Sequence, residues 1–195
     1  MRKALLPAIL VLLTACQPMA EAEAEPAAPE IVTRWDHRPE ASVWSDAMFN
    51  ALVEEQAEML ALAPRDAADF CPGYASANAE ERAAFWVAFF SGLARFESGW
   101  RPEAAGAGGR YRGLLQISPR TARHHGCDIA SASDLYDGAT NLTCATRIAA
   151  SAVARDGVIA TGRGGVARDW PPLRNPRKRA EIAQFTRALP VCNGG

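Results

Sequence analysis

Apolar residues recur along this chain with a helical period, and the strongest run lies near its middle. Between Ala79 and about Glu97, the positions Phe85, Trp86, Phe89, Phe90, Leu93 and Phe96 leave almost no polar face. A helix of that kind is expected to be central and buried. Asn78 followed by Glu81 has the form of a capping pair and marks its start. Ser42 is expected to cap an earlier helix that reaches about Leu62 on Val43, Trp44, Ala47, Met48, Ala51, Leu52, Met59 and Leu60, with Pro64 ending it. Ser118-Pro119 and Asn175-Pro176 each join a capping residue to a first-turn proline. The first opens a short helix and the second a final one carrying Ile182, Phe185 and Leu189. Asp137 or its neighbours begin a long helix through Asn141, Leu142, Ala145, Ile148, Ala149, Ala152 and Val153, closed by Gly157. No run alternates with period two over a useful length. The pattern predicts a mainly α domain of five to seven helices around a central apolar helix, with at most a small β-hairpin between Trp100 and Leu115.

The amino-terminal segment follows different rules. Met-Arg-Lys precedes an apolar stretch from Ala4 to Leu13, interrupted once by Pro7, and then Leu13-Thr14-Ala15-Cys16. A charged start, a short apolar region and small residues form a secretory signal. The Leu-Thr-Ala-Cys ending resembles a bacterial lipobox, which implies removal of residues 1–15 and lipidation of Cys16. The chain would then be anchored to a membrane without spanning it. Gln17 stands where lipoproteins retained in the inner membrane usually carry Asp, so the outer membrane is the expected destination, with the protein facing the periplasm. An ordinary signal peptide with an incidental Cys16 is the plain alternative. Residues 16–40 are dominated by Pro, Ala and Glu and are expected to be a disordered tether, leaving residues 41–195 as the folded unit.

The chain has 195 residues, 49% of them hydrophobic and 22% charged, a composition and size that fit one compact domain. The net charge of −1 hides a division. Met1 to Glu97 carries 7 basic and 15 acidic residues, net −8, whereas Ser98 to Gly195 carries 14 and 7, net +7. The second half therefore suits an anionic partner. Its later cations, Arg147, Arg155, Arg163, Arg168, Arg174, Arg177, Arg179 and Arg187 with Lys178, read either as a solvated helix face or as attraction to carboxylates. Nucleic acid is not expected as a partner, because an exported chain without a recognition motif gives it no support. With Cys16 set aside, Cys71, Cys127, Cys144 and Cys192 remain. In an oxidising compartment four cysteines allow three pairings. We expect Cys127 with Cys144, which flank one loop, and Cys71 with Cys192, which would tie the carboxyl-terminal end to the body. The spacings are too wide for a zinc motif, and neither a metal nor a cofactor is expected.

Glu97 is the unusual acid. It ends the most apolar helix, where aromatic surroundings strip water from the charged form and raise the pKa, as a general acid near neutral pH requires. A carboxylate there also opposes the helix dipole. The plain alternative is a helix-terminal Glu reaching solvent.

Glu97-Ser98, then Gly113-Leu114-Leu115-Gln116-Ile117 with Pro119, then Leu135 and Asn141-Leu142 together resemble the ordered motifs of the soluble lytic transglycosylases, members of the lysozyme-like superfamily. The match covers roughly Ala79 to Gly157. The resemblance implies an α+β lysozyme-like fold and peptidoglycan glycan strands as partner. It further implies cleavage of the β-1,4 bond between N-acetylmuramic acid and N-acetylglucosamine by a single acid, Glu97. Most glycosidases need two carboxylates. In this family the substrate's 2-acetamido group assists, and its own C6 hydroxyl closes onto C1 to give a 1,6-anhydro sugar. Ser98 would then orient Glu97 or touch substrate, and Gln116 would place an amide in the cleft. Tyr111 and Trp100 would either stack on sugar rings or pack. Many members carry an Ala-Tyr-Asn segment that this chain lacks; Trp170 is expected as a cleft wall in its stead. A water-using muramidase and a non-catalytic peptidoglycan-binding lipoprotein are the alternatives.

Overall fold

The computed structural model describes residues 28–193; the expected signal segment and lipidation site at Cys16 lie outside the described residues. Among these, eight α-helices follow one another: α1 (Ala41–Asn50), α2 (Ala57–Ala61), α3 (Ala67–Phe70), α4 (Ala79–Glu97), α5 (Pro119–His124), α6 (Gly138–Asp156), α7 (Pro176–Arg187) and α8 (Pro190–Asn193). Between α4 and α5, β1 (Ala105–Gly106) and β2 (Tyr111–Arg112) form an antiparallel hairpin with Ala105 opposite Arg112 and Gly106 opposite Tyr111.

The axis of the molecule is α4. Asn78 Oδ1 accepts from the Glu81 N–H at 3.0 Å while the Glu81 carboxylate accepts from the Asn78 N–H at 2.7 Å, so two orphan donors of the first turn are satisfied. Every residue from Ala83 to Ala94 is buried. They are enclosed by α1, α2, α7, α8 and the 3-10 turn Pro171–Arg174. Edge-to-face pairs such as Trp86 with Phe89, centroids 5.4 Å apart, fill the interior.

Three expectations are corrected. Ser42 does not cap α1, whose N-cap residue is Glu40 and which lacks a side-chain cap. The helix expected to reach Leu62 also loosens into a π-turn over Ala51–Glu55 before resuming as α2. A continuous α-helix would stack Glu54 over Glu58, a repulsive pair, and Glu55 is instead drawn to Arg147 at 2.6 Å. This break, together with single turns at α3 beside Cys71 and at α8 around Cys192, raises the helix number from five to seven to eight.

The third correction concerns the expected start of the folded unit at residue 41, since residues before it pack into the body. Trp35 is fully buried, its Nε1 donating to Ser45 Oγ at 3.0 Å and its ring edge-on to Trp44. The Arg34 N–H donates to Ser91 Oγ on α4 at 2.9 Å. Composition averaged over the Pro/Ala/Glu stretch conceals one tryptophan, and burying that one side chain is worth about 2–3 kcal/mol.

Two disulfides close the body. Cys71–Cys192 binds the loop after α3 to α8, and Cys127–Cys144 binds the loop after α5 to α6. Among the described residues no helix is long and apolar enough to cross a membrane, and no cluster of metal-ligating side chains occurs.

Candidate active site

Burial follows α4 almost to its end, so Glu97 leaves the core with part of its side chain still inside. Its Oε1 is buried with no hydrogen-bond partner among the described residues. An unpaired buried oxygen is costly for a carboxylate and tolerable for a neutral carboxyl. Desolvation accordingly pushes the Glu97 pKa from its ordinary 4.5 up to about 7, against the opposing pull of the Lys178 ammonium. Lys178, near the start of α7, also lies over the Phe96 ring at 5.2 Å from its centroid. In the sequence Lys178 is one more cation of the basic run, with nothing to tie it to Glu97 until the fold brings α7 to the end of α4.

The chain beyond Glu97 is tightly determined. Ser98 is buried; its hydroxyl donates to the Ala94 carbonyl at 3.3 Å and accepts from the Arg101 N–H at 3.2 Å. It thus finishes the helix and shapes the turn that follows. Trp100 is half-buried, with its Nε1 donating to the Ser91 carbonyl at 2.8 Å and His37 edge-on to its ring at 4.8 Å. Its φ of 59° is left-handed, as are those of Ala107 and Gln116 at 48° and 49°. Among the described residues these are the non-glycine positions with positive φ, and all three fall between Trp100 and Gln116. Side-chain-bearing residues pay a steric cost there, and such positions concentrate where function holds the backbone in place.

The Gly113-Leu114-Leu115-Gln116-Ile117 segment forms a loop pinned from several sides. Arg112 and Ile117 exchange backbone hydrogen bonds at 3.0 and 3.1 Å across its base. Asn141, fully buried on α6, donates from Nδ2 to the Arg112 and Leu135 carbonyls at 3.0 and 2.9 Å and accepts at Oδ1 from the Leu115 N–H at 2.9 Å. Gly113 has φ 79°, and an added Cβ would collide with the Leu135 carbonyl and the Asn141 amide. The loop therefore requires glycine at that position.

Gln116 is half-buried and donates to the Ala104 carbonyl at 3.1 Å and the Gly113 carbonyl at 2.9 Å, so both N–H groups hold the hairpin to the loop. Trp170 departs from its expected place as a cleft wall. It is 3% exposed, packs edge-on against Phe90, and donates from Nε1 to the Leu115 carbonyl at 2.9 Å. An indole with one donor satisfies both its ring and its N–H by going beneath the loop, so it supports that loop from inside. Tyr111 is 41% exposed on β2 and lines an open cavity of about 580 Å³; Glu97 is not part of that lining. Among the neighbouring acids, Glu103 and Asp128 are exposed, whereas Asp134 and Asp137 accept backbone N–H bonds at helix starts.

A family model described as the Transglycosylase SLT domain matches residues 75–157, the span from before α4 to the end of α6. Three solved structures of Bd0314 DslA are similar over nearly their whole length. One glutamate-to-glutamine mutant is 31% identical with a TM-score of 0.77, covering 84% of this chain and 98% of that one. The wild-type form is 30% identical at 0.75, with the same coverage. A second such mutant is 32% identical at 0.74, covering 84% and 99%. No curated protein matches the chain.

Proposed function

The chain belongs to the SLT-type transglycosylase family of lysozyme-like fold, and from that premise we propose that it cleaves the β-1,4 bond between N-acetylmuramic acid and N-acetylglucosamine in peptidoglycan without consuming water. The observation that carries this is the buried, unpartnered Oε1 of Glu97, on a carboxyl whose pKa lies at about 7. At neutral pH a large share of Glu97 is protonated and has no partner for that oxygen among the described residues.

The neutral carboxyl donates its proton to the glycosidic oxygen as the bond from that oxygen to C1 of N-acetylmuramic acid breaks. The departing N-acetylglucosamine gains a free 4-hydroxyl. The acetamido carbonyl oxygen of the same muramic residue stabilises the positive C1. Glu97, now a carboxylate, removes the proton from the C6 hydroxyl, and O6 bonds to C1. The product is a 1,6-anhydro sugar, and Glu97 regains its proton. Burial serves the first half-step and Lys178 the second, since desolvation favours the acid and a nearby cation favours the base. In this reading Ser98 and Gln116 act by fixing the backbone around the acid, and Tyr111 supplies an exposed ring for a sugar. The proposal extends to an exported protein held at the outer membrane by lipid on Cys16; loss of palmitate labelling in Cys16→Ser is the expected result.

Glu97→Gln should lower release of anhydromuropeptides from purified sacculi by about 10²–10⁴-fold with an unchanged fold. Undiminished anhydro product by mass spectrometry would overturn the assignment. Oxygen-18 incorporated from water at the new reducing end would instead identify a muramidase, and binding to sacculi with no turnover by the wild type would identify a non-catalytic wall protein.

A further inference from the structure

The cavity of about 580 Å³ beside the hairpin has a lining unlike the rest of the surface: Arg110, Tyr111 and Arg112 from β2 and the residue before it, and Arg120, Thr121 and Arg123 from α5, with no carboxylate. Many other guanidinium groups among the described residues are engaged within the protein. Arg82 bonds the Leu60, Tyr74 and Ala75 carbonyls, Arg147 the Gly126 carbonyl and Glu55, and Arg155 is paired with Asp156. None of the four cavity arginines pairs with an acid among the described residues, whose ion pairs involve Arg34, Arg38, Arg95, Arg147, Arg155 and Arg168, and Arg110, Arg120 and Arg123 bond no carbonyl there either. Only Arg112 is anchored, its Nε donating to the Gly109 carbonyl at 3.0 Å and its guanidinium lying 5.4 Å from the Tyr136 ring centroid. Its remaining N–H groups are left for a ligand on a group already fixed in place.

Four like charges around one concavity repel each other and raise the local potential until an anion enters. Guanidinium forks suit planar carboxylates, two parallel N–H bonds to each. The cavity is also continuous in sequence with the candidate active site, because β2 runs directly into the loop that Asn141 and Trp170 hold. A glycan reaching Glu97 would bring its attached peptides near this part of the surface.

We propose that this arginine-lined cavity is a subsite for the carboxylates of the stem peptides that the glycan carries. The inference rests on the peptidoglycan reading above. It makes peptide-bearing strands better substrates than bare ones, through binding and not through the chemical step.

The test uses the full-length protein and two forms of the same glycan, peptide-bearing strands and strands stripped by an amidase. For Arg120→Glu with Arg123→Glu, the ratio of kcat/KM on peptide-bearing to bare strands is expected to fall about tenfold, carried by KM, and to recover with Arg120→Lys and Arg123→Lys. Independently of any variant, wild-type protein is expected to bind the amidase-released tetrapeptide in calorimetry, more weakly as salt rises, and to lose that binding when the peptide carboxylates are amidated. An unchanged ratio, equal losses on both strands, or equal binding of the amidated peptide overturns the subsite. Capture of phosphatidylglycerol vesicles through the same arginines without peptide binding assigns the cavity to lipid and also overturns it. If the peptide binds as expected but no anhydro product forms, the chemistry assigned to Glu97 fails and the subsite stands.

Discussion

At the scale of single residues, the properties of Glu97 follow from two opposed effects that can be separated by mutation. Burial favours the neutral carboxyl and Lys178 favours the carboxylate. Removing the cation in Lys178→Met should therefore raise the Glu97 pKa further, and the alkaline limb of the pH profile of kcat/KM should move upward from about 7. A limb that stays in place would show that Lys178 does not act on the acid. The same raised pKa links stability to pH with a definite sign. Because the folded protein holds the proton more tightly than the unfolded chain, the stabilising contribution is complete below 4.5 and is lost as pH rises through about 7. Glu97→Gln is neutral at every pH. It should match the wild type in thermal melting at acid pH and melt at higher temperature above pH 7; a gap of the reverse sign would contradict a desolvated carboxyl.

At the scale of elements, the loop from Gly113 to Ile117 depends on contacts distant in sequence. Asn141 satisfies three backbone groups at once, and Trp170 satisfies a fourth. Asn141→Ala would strand the buried Leu115 N–H and Leu135 carbonyl and leave the Arg112 carbonyl with its Ile117 partner alone, a loss of about 2–4 kcal/mol. Denaturant unfolding is expected to show that loss, and activity should fall with it because Gln116 and the hairpin share the loop. A neutral effect on both would mean that the loop is held otherwise. The sequence motif named these residues without revealing their work. Asn141 carries no signal of its own beyond a polar residue on an apolar helix face, and a buried polar residue at such a place implies a partner without saying which. Trp170, expected as a cleft wall, lies beneath the loop with its N–H on the Leu115 carbonyl. An aromatic residue near a presumed cleft reads equally as a sugar platform or as packing, and only the position of the Leu115 carbonyl decides.

At the scale of the whole molecule, the two disulfides constrain very different lengths of chain. Cys71–Cys192 spans a separation of 121 residues and Cys127–Cys144 one of 17, which on loop entropy alone correspond to about 5 and about 3 kcal/mol. Replacing the first pair by serine should therefore lower the melting temperature more than replacing the second, as scanning calorimetry would show; the opposite order would place the main effect in the folded state. Charge is also distributed at this scale. The net +7 of the second half includes the unpaired arginines around the hairpin cavity, which the later arginine run overshadowed in the sequence. Their signal was spacing: Arg110 and Arg112 sit two apart around Tyr111, and Arg120 and Arg123 lie three apart on one helix.

By itself the sequence determined what depends on neighbours along the chain. The capping pair at Asn78, the first-turn prolines, the glycine end of α6 and the unbroken apolar run of α4 each act within a few residues, so their outcome is written locally. The tertiary structure decided whatever depends on approach in space. It buried Trp35 and Trp170, broke the first long helix, brought Lys178 to Glu97, and enclosed the Glu97 Oε1 with no hydrogen-bond partner among the described residues. Hydration and charge–charge energies follow distance and burial, and those are fixed only when the helices close around α4.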